Sequence, residues 1–207
     1  MSIKNSVIFQ KRELLYFCIQ RFLFGFSYSL MIPVIPLYLK SLGLSTLTIG
    51  TVMSIYGIAK AVSQVSFGAI CNKIGDKLLL IGSFSIMTII PLLYTFTTGS
   101  FMAKIIYVAQ GAILGMSAPA TFALLARSLD ENRRGESTGY ASAVFTLGGA
   151  IGAIVGGFIF NKLNNYKLVF YLTSSGIVLT IMFIAIKIKK SKLDSKYKRD
   201  KKSLDVN

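Results

Sequence analysis

The sequence contains no histidine and no tryptophan, and only two cysteines in 207 residues. Without histidine there is no imidazole for a zinc site or for a His-based catalytic triad. Cys18 lies inside a long apolar run and Cys71 in a polar turn, so no disulfide is expected. Acids are scarce too, eight against 23 Lys and Arg, for a net charge of +15. Glu13, Asp76, Asp130, Glu131, Glu136, Asp194, Asp200 and Asp205 all fall in loops, termini or helix ends. No carboxylate is left inside an apolar run to take up and release a proton. The hydroxyls and thiols have no evident base beside them, so the chain does not read as an enzyme. No metal and no cofactor are expected.

What the sequence has is long apolar runs. Hydrophobic residues make up 53% of the chain, and its charges are confined to short intervals. The basic residues flank the runs or gather in the last twenty positions, a pattern that argues against nucleic acid as partner. Six runs are each long enough for a membrane helix: Leu14–Leu39, Leu47–Ile70, Leu78–Thr97, Phe101–Ala126, Ser137–Phe160 and Leu168–Ile186. The first is too long for the apolar stretch of a signal peptide. Pro33 and Pro36 should kink its end. Residues 1–13 form a short basic segment, 14–187 the membrane domain, and 188–207 a basic tail too charged to pack, read as a disordered arm on anionic lipid. The expected class is all-α, a polytopic protein of six transmembrane helices.

Orientation follows from charge. The N-terminus, the second–third and fourth–fifth connections and the tail carry 17 Lys and Arg, and the opposite loops carry four, Lys40, Lys104, Lys162 and Lys167. Both termini are therefore expected in the cytoplasm, with the plasma membrane as location. An internal repeat is also legible. GAICNKI at 68–74 matches GFIFNKL at 157–163, and at the same offset of 89 Gly50 matches Gly139 and Ala61 matches Ala150. Three spans separate the copies. An odd number inverts the second, giving two inverted three-helix units.

Three motifs carry a resemblance. The turn GAICNKIGDK, with Gly68, Asn72, Lys73, Gly75, Asp76 and Lys77, resembles the signature loop G-x-x-x-D-R/K-x-G-R/K-R/K of the major facilitator superfamily of transporters. Asn72 stands in the place of the acid and Asp76 where a base is usual. A plain polar hairpin reads equally well from these residues. Tyr107–Pro119, YVAQGAILGMSAP, is similar to the family's pattern R-x-x-Q-G-x-x-x-G-x-x-x-P, with Gln110 in register and Tyr107 replacing the arginine. The junction that follows, with Arg134, Gly135 and Gly139, is similar as well. GGAIGAIVGG places Gly148, Gly152, Gly156 and Gly157 as in the family's antiporter pattern, with Ala153 in place of its proline. Small residues four apart also make a generic face for close helix packing.

The resemblance covers the N-terminal half of a transporter of about twelve helices and is strongest to drug-efflux members. It implies a loop that closes the cytoplasmic side, through the turn residues and Arg134, and a solute site near the midplane reached by alternating access. Polar groups in the spans are the candidates for that site. Tyr56, Lys60 and Gln64 share one helix face, as do Arg21, Gly25 and Tyr28. With Tyr107 and Gln110 they are assigned to a positively charged cavity, with snorkelling to the interface as the alternative reading for Arg21. Such a cavity suits anionic or neutral solutes. Expected partners are the lipid bilayer, a small solute and a second six-helix half, either another copy or a separate chain. A non-transporting scaffold or regulatory subunit, or a truncated remnant, stands as the alternative.

Overall fold

The computed structural model of the chain describes residues 12–128 and 133–188. Among these the fold is all-α. α1 (Arg12–Ser29) and α2 (Val34–Ser41) form one broken rod, followed by α3 (Thr46–Ile74), α4 (Asp76–Phe96), α5 (Ser100–Ser128), α6 (Arg134–Leu163) and α7 (Tyr166–Lys187). The break falls where sequence expects it. Pro33 opens α2 in a helical conformation but has no N–H to continue α1.

The remaining boundaries have local causes. Ser45 caps α3 by accepting from Thr48 N. A single residue, Gly75 at φ +90°, separates α3 from α4, in a backbone region that a Cβ disfavours. Asn164 closes α6 in the left-handed conformation, and Asn165 caps α7 by accepting from Leu168 N.

Five stretches, Arg12–Ser41, Asp76–Phe96, Ser100–Ala126, Arg134–Leu163 and Tyr166–Lys187, are long and apolar enough to cross a membrane. α3 has the length, at 29 residues, but Lys60, Gln64 and Asn72 dilute its apolar character. It packs along α5 and completes the bundle as the sixth rod. The surface is rich in bare apolar side chains, such as Leu47 and Val65 (both 81% exposed) and Ile154. Gln20, Gln110, Ser83, Thr173 and Thr180 are buried instead. Hydroxyls inside the bundle mostly donate to their own helix, as Thr173 does to Val169 O and Thr180 to Gly176 O. An apolar outside, with polar side chains such as these turned inward among the core residues, suits lipid as the solvent.

The packing has a twofold logic. α1 lies against α6 as α3 lies against α5; α4 lies against α5 as α7 lies against α1; and α4 meets α7. Exchanging the first three spans for the last three maps this pattern onto itself. Single contacts obey the same exchange. A Cβ on Gly25 would stand 2.6 Å from Phe145 O, and one on Gly111 2.5 Å from Tyr56 O. Phe145 follows Tyr56 by 89 positions, the offset of the repeat, while Gly111 follows Gly25 by 86. The second unit thus carries three extra residues between its first two helices. The spans alternate in direction, so the chain is two inverted three-helix units.

Three glycines on α6 make the tightest seam. Gly148, Gly152 and Gly156 sit on the backbones of Phe22, Phe26 and Leu30 of α1, also spaced by four. Gly157, grouped with them in the sequence, has nothing within 4 Å of where its Cβ would stand. One residue turns a helix by about 100°, which carries Gly157 off the seam.

Candidate functional site

The end of the bundle where α1 starts is called the near end here. Tyr56 and Gln110 each lie about 15 Å, by the helical rise, in from the far ends of α3 and α5, and four spans meet there through side chains. The Tyr94 hydroxyl of α4 donates to Gln110 Oε1 of α5 at 3.0 Å. Gln110 Nε2 donates to the Tyr28 hydroxyl of α1 at 3.1 Å. Tyr28 and Tyr56 of α3 share a hydrogen bond of 2.8 Å between hydroxyls. The Tyr56 ring lies on Tyr107 of α5 with centroids 4.9 Å apart. Gln110, Tyr28 and Tyr94 are buried, and Tyr56 is half-buried at the end of the relay.

Local structure sets these positions. Gly111 lets α5 approach the α3 backbone at Tyr56, and Gly115 does the same at Lys60. That close approach brings Tyr107 and Gln110, one helical turn apart, to Tyr56 and Tyr28. Tyr94 is fixed from the other side, stacked on Phe170 at 5.1 Å, while Tyr38 donates to the carbonyl oxygens of Tyr94 and Thr97.

Of the residues assigned to a cavity from sequence, the structure brings Tyr28, Tyr56, Tyr107 and Gln110 together. Lys60 stands one turn from Tyr56 at the midpoint of α3, half-buried. Among the described residues no hydrogen bond or ion pair engages its ammonium. Gln64 continues the same face one turn further and is half-buried. Arg21 is set apart from the relay. Its guanidinium lies 3.9 Å from the centroid of the Phe145 ring on α6, a cation–π contact. Under the exchange of the two units, Arg21 on Phe145 is the counterpart of Tyr107 on Tyr56. Tyr94 was not singled out from sequence. The only available signal was a hydroxyl in an otherwise apolar run.

The near-end turn is a separate cluster. Asn72, Lys73 and Arg134 are exposed, and Gly68 has open space where a Cβ would stand. Asp76 is buried in the first turn of α4 and accepts from Lys77 N at 2.6 Å. Lys77 reaches the last turn of α7, donating to Ala185 O at 3.0 Å and to Ile188 O. There its charge faces the negative end of the helix dipole. Among the described residues no cluster of His, Cys, Asp or Glu could hold a metal ion.

A family profile described as Major Facilitator Superfamily matches residues 17–206. The chain belongs to this superfamily. It is 29% identical over 208 residues to the multidrug resistance protein MdtG of Serratia proteamaculans (strain 568), covering 97% of this chain and 49% of that protein. It is 27% identical over 173 residues to the quinolone resistance protein NorA of Staphylococcus aureus (strain Mu50), covering 83% of this chain and 44% of NorA. The chain spans about half the length of these curated relatives. As a superfamily member it is a multi-pass membrane protein, a single six-helix half of the fold.

Proposed function

We propose that the chain forms one wall of a transporter that moves a small organic solute across the plasma membrane by alternating access, in the direction of efflux. The observation that carries this reading is the relay Tyr94–Gln110–Tyr28–Tyr56. It gathers polar groups from four spans and both three-helix units into one chain of hydrogen bonds that ends at the half-buried Tyr56. Membership of the superfamily supports it, as do relatives named for multidrug and quinolone resistance. The near end is cytoplasmic on this reading, since Arg12, Lys73, Lys77, Arg133, Arg134 and Lys187 lie there. Rocking about a midplane site requires a facing wall. A second six-helix half supplies it, as another copy, a separate chain or further sequence. The membrane domain is 14–187, and the chain performs no covalent chemistry.

The test is dye accumulation in a bacterial strain stripped of its own efflux pumps. Expression of the chain should lower the intracellular level of at least one of a panel of anionic, neutral and cationic fluorescent amphiphiles, and Gln110→Leu should restore it. If no probe responds to the intact chain, a non-transporting scaffold, docking by the open glycine face of α3 at Gly50, Gly57 and Gly68, replaces this reading.

A further inference from the structure

The direction of the hydrogen bonds in the relay can be argued through, and it decides what kind of atom a ligand must present. Tyr94 donates to Gln110 Oε1, and Gln110 Nε2 donates to the Tyr28 oxygen. Tyr28 therefore already accepts, and its own hydrogen needs an acceptor. The neighbour within reach is the Tyr56 oxygen at 2.8 Å. Were Tyr56 to donate instead, the Tyr28 hydrogen would be left unpaired in a buried site, at the cost of an unsatisfied donor. The relay thus runs Tyr94 to Gln110 to Tyr28 to Tyr56, and the one hydroxyl hydrogen not spent is that of Tyr56, while the second hydrogen of Gln110 Nε2 is buried. Tyr56 is the half-buried member, at the open end.

One turn away stands Lys60, whose ammonium also donates and has no partner among the described residues. Of the other cations within the spans, Arg21 is occupied by Phe145, and Lys104, near the far end of α5, lies over the Phe101 ring. The described acids all stand in the first turns of their spans: Glu13 and Glu136 in α1 and α6, and Asp76 at the opening of α4. Donors and positive charge accumulate at Tyr56 and Lys60, with no anion among the described residues to balance them.

We propose that Tyr56 and Lys60 together bind the acceptor group of an organic anion, a carboxylate or sulfonate carried on an aromatic body. One oxygen accepts from the Tyr56 hydroxyl while the charge lies against the Lys60 ammonium. The aromatic body suits a site walled by the Tyr56 and Tyr107 rings. An unpaired ammonium at mid-span is costly, so an anion that pairs with it gains what the empty site lacks. A lipophilic cation meets like charge instead. This inference rests on the reading of the relay as a solute site and specifies the solute's charge.

The experiment measures equilibrium binding to the full chain in phosphatidylcholine nanodiscs. The chain has no tryptophan, so energy transfer from tyrosine to a naphthalene ring reports proximity to the tyrosine cluster. The probes share one ring system: naphthalene-2-sulfonate, the neutral methyl 2-naphthyl sulfone, and 2-naphthyl-trimethylammonium. Empty nanodiscs correct for partition into lipid. The sulfonate should bind about tenfold more tightly than the ammonium probe. Lys60→Gln should weaken the sulfonate about fivefold or more and leave the sulfone within about twofold, while Lys60→Arg retains both. Tyr56→Phe should weaken sulfonate and sulfone alike by about two- to tenfold, the worth of one donor. Lys162→Gln, which removes an exposed charge at the far end, should change nothing. Equal or tighter binding of the ammonium probe overturns the proposal, as does a loss with Lys162→Gln that equals the loss with Lys60→Gln. Absence of saturable binding by all three probes overturns it too. Anion binding without flux would sink the transport reading alone. Flux of cations independent of Lys60 would sink this inference alone.

Discussion

Gly152 lies so close to Phe26 that a Cβ on the glycine would overlap the Phe26 backbone, with its Cα only 3.0 Å away. Backbone on both sides leaves nothing flexible to move aside. Gly148 and Gly156 repeat the contact one turn to either side.

Substitution along this seam should therefore be destabilising in a position-specific way. Gly152→Ala and Gly156→Ala should each lower stability by about 1–3 kcal/mol, through forced separation of α1 and α6. Gly157→Ala, one residue further, should leave it within about 0.5 kcal/mol. Thermal unfolding of the three variants in detergent makes the comparison. Equal losses at 156 and 157 would show that the seam is not where the packing energy resides.

The relay predicts two losses of different size. Tyr94→Phe removes one donor and should cost about 0.5–1.5 kcal/mol. Gln110→Leu strands the Tyr94 hydroxyl and removes the donor to Tyr28, and should cost about 1–3 kcal/mol. Because the two act through one bond, the double variant should cost less than the sum. A double-mutant cycle on unfolding midpoints reads this directly.

Gln20 makes the opposite prediction. It is fully buried on α1, and both its side-chain atoms lack a hydrogen-bond partner. Its level falls between the Tyr16–Phe183 and Phe24–Phe84 ring contacts, one turn to either side. Gln20→Leu should raise stability by about 1–3 kcal/mol, since an unsatisfied amide is exchanged for an apolar group of similar size. A fall in the unfolding midpoint would mean that the amide is paired in the working protein.

Lys77 offers a local test. Its ammonium bonds to the last turn of α7, at Ala185 O and Ile188 O. Lys77→Met should loosen that turn by about 0.3–1 kcal/mol. The change should appear as faster amide exchange at residues 184–188, with α7 beyond its last turn unchanged. Uniform acceleration along α7 would place the role of Lys77 elsewhere.

Much of this was legible in advance, and the residues show why. The seam glycines stood out by their spacing of four, and the repeat by its offset of 89. Tyr28, Lys60 and Gln110 stood out because a polar group in an apolar run is itself a signal. Tyr94 gave little signal, as its hydroxyl finds its side-chain partner only where α4 meets α5. The second register, 86 between Gly25 and Gly111 and between Arg21 and Tyr107, was hidden because Arg21 and Tyr107 differ in type. Only their shared seat on Phe145 and Tyr56 reveals it. Lys77, grouped with the turn in the sequence, reaches the last turn of α7 because α4 packs directly against α7.

The sequence by itself determined the rods: their number, lengths, breaks and alternating directions. In lipid each backbone must satisfy its own hydrogen bonds, so those features depend only on residues near one another in the chain. The tertiary structure decided which face of each rod turns inward. That choice rests on contacts between distant residues, Gly111 on Tyr56 and Gly152 on Phe26 among them, and it alone brings Tyr28, Tyr56, Tyr94 and Gln110 within hydrogen-bond distance.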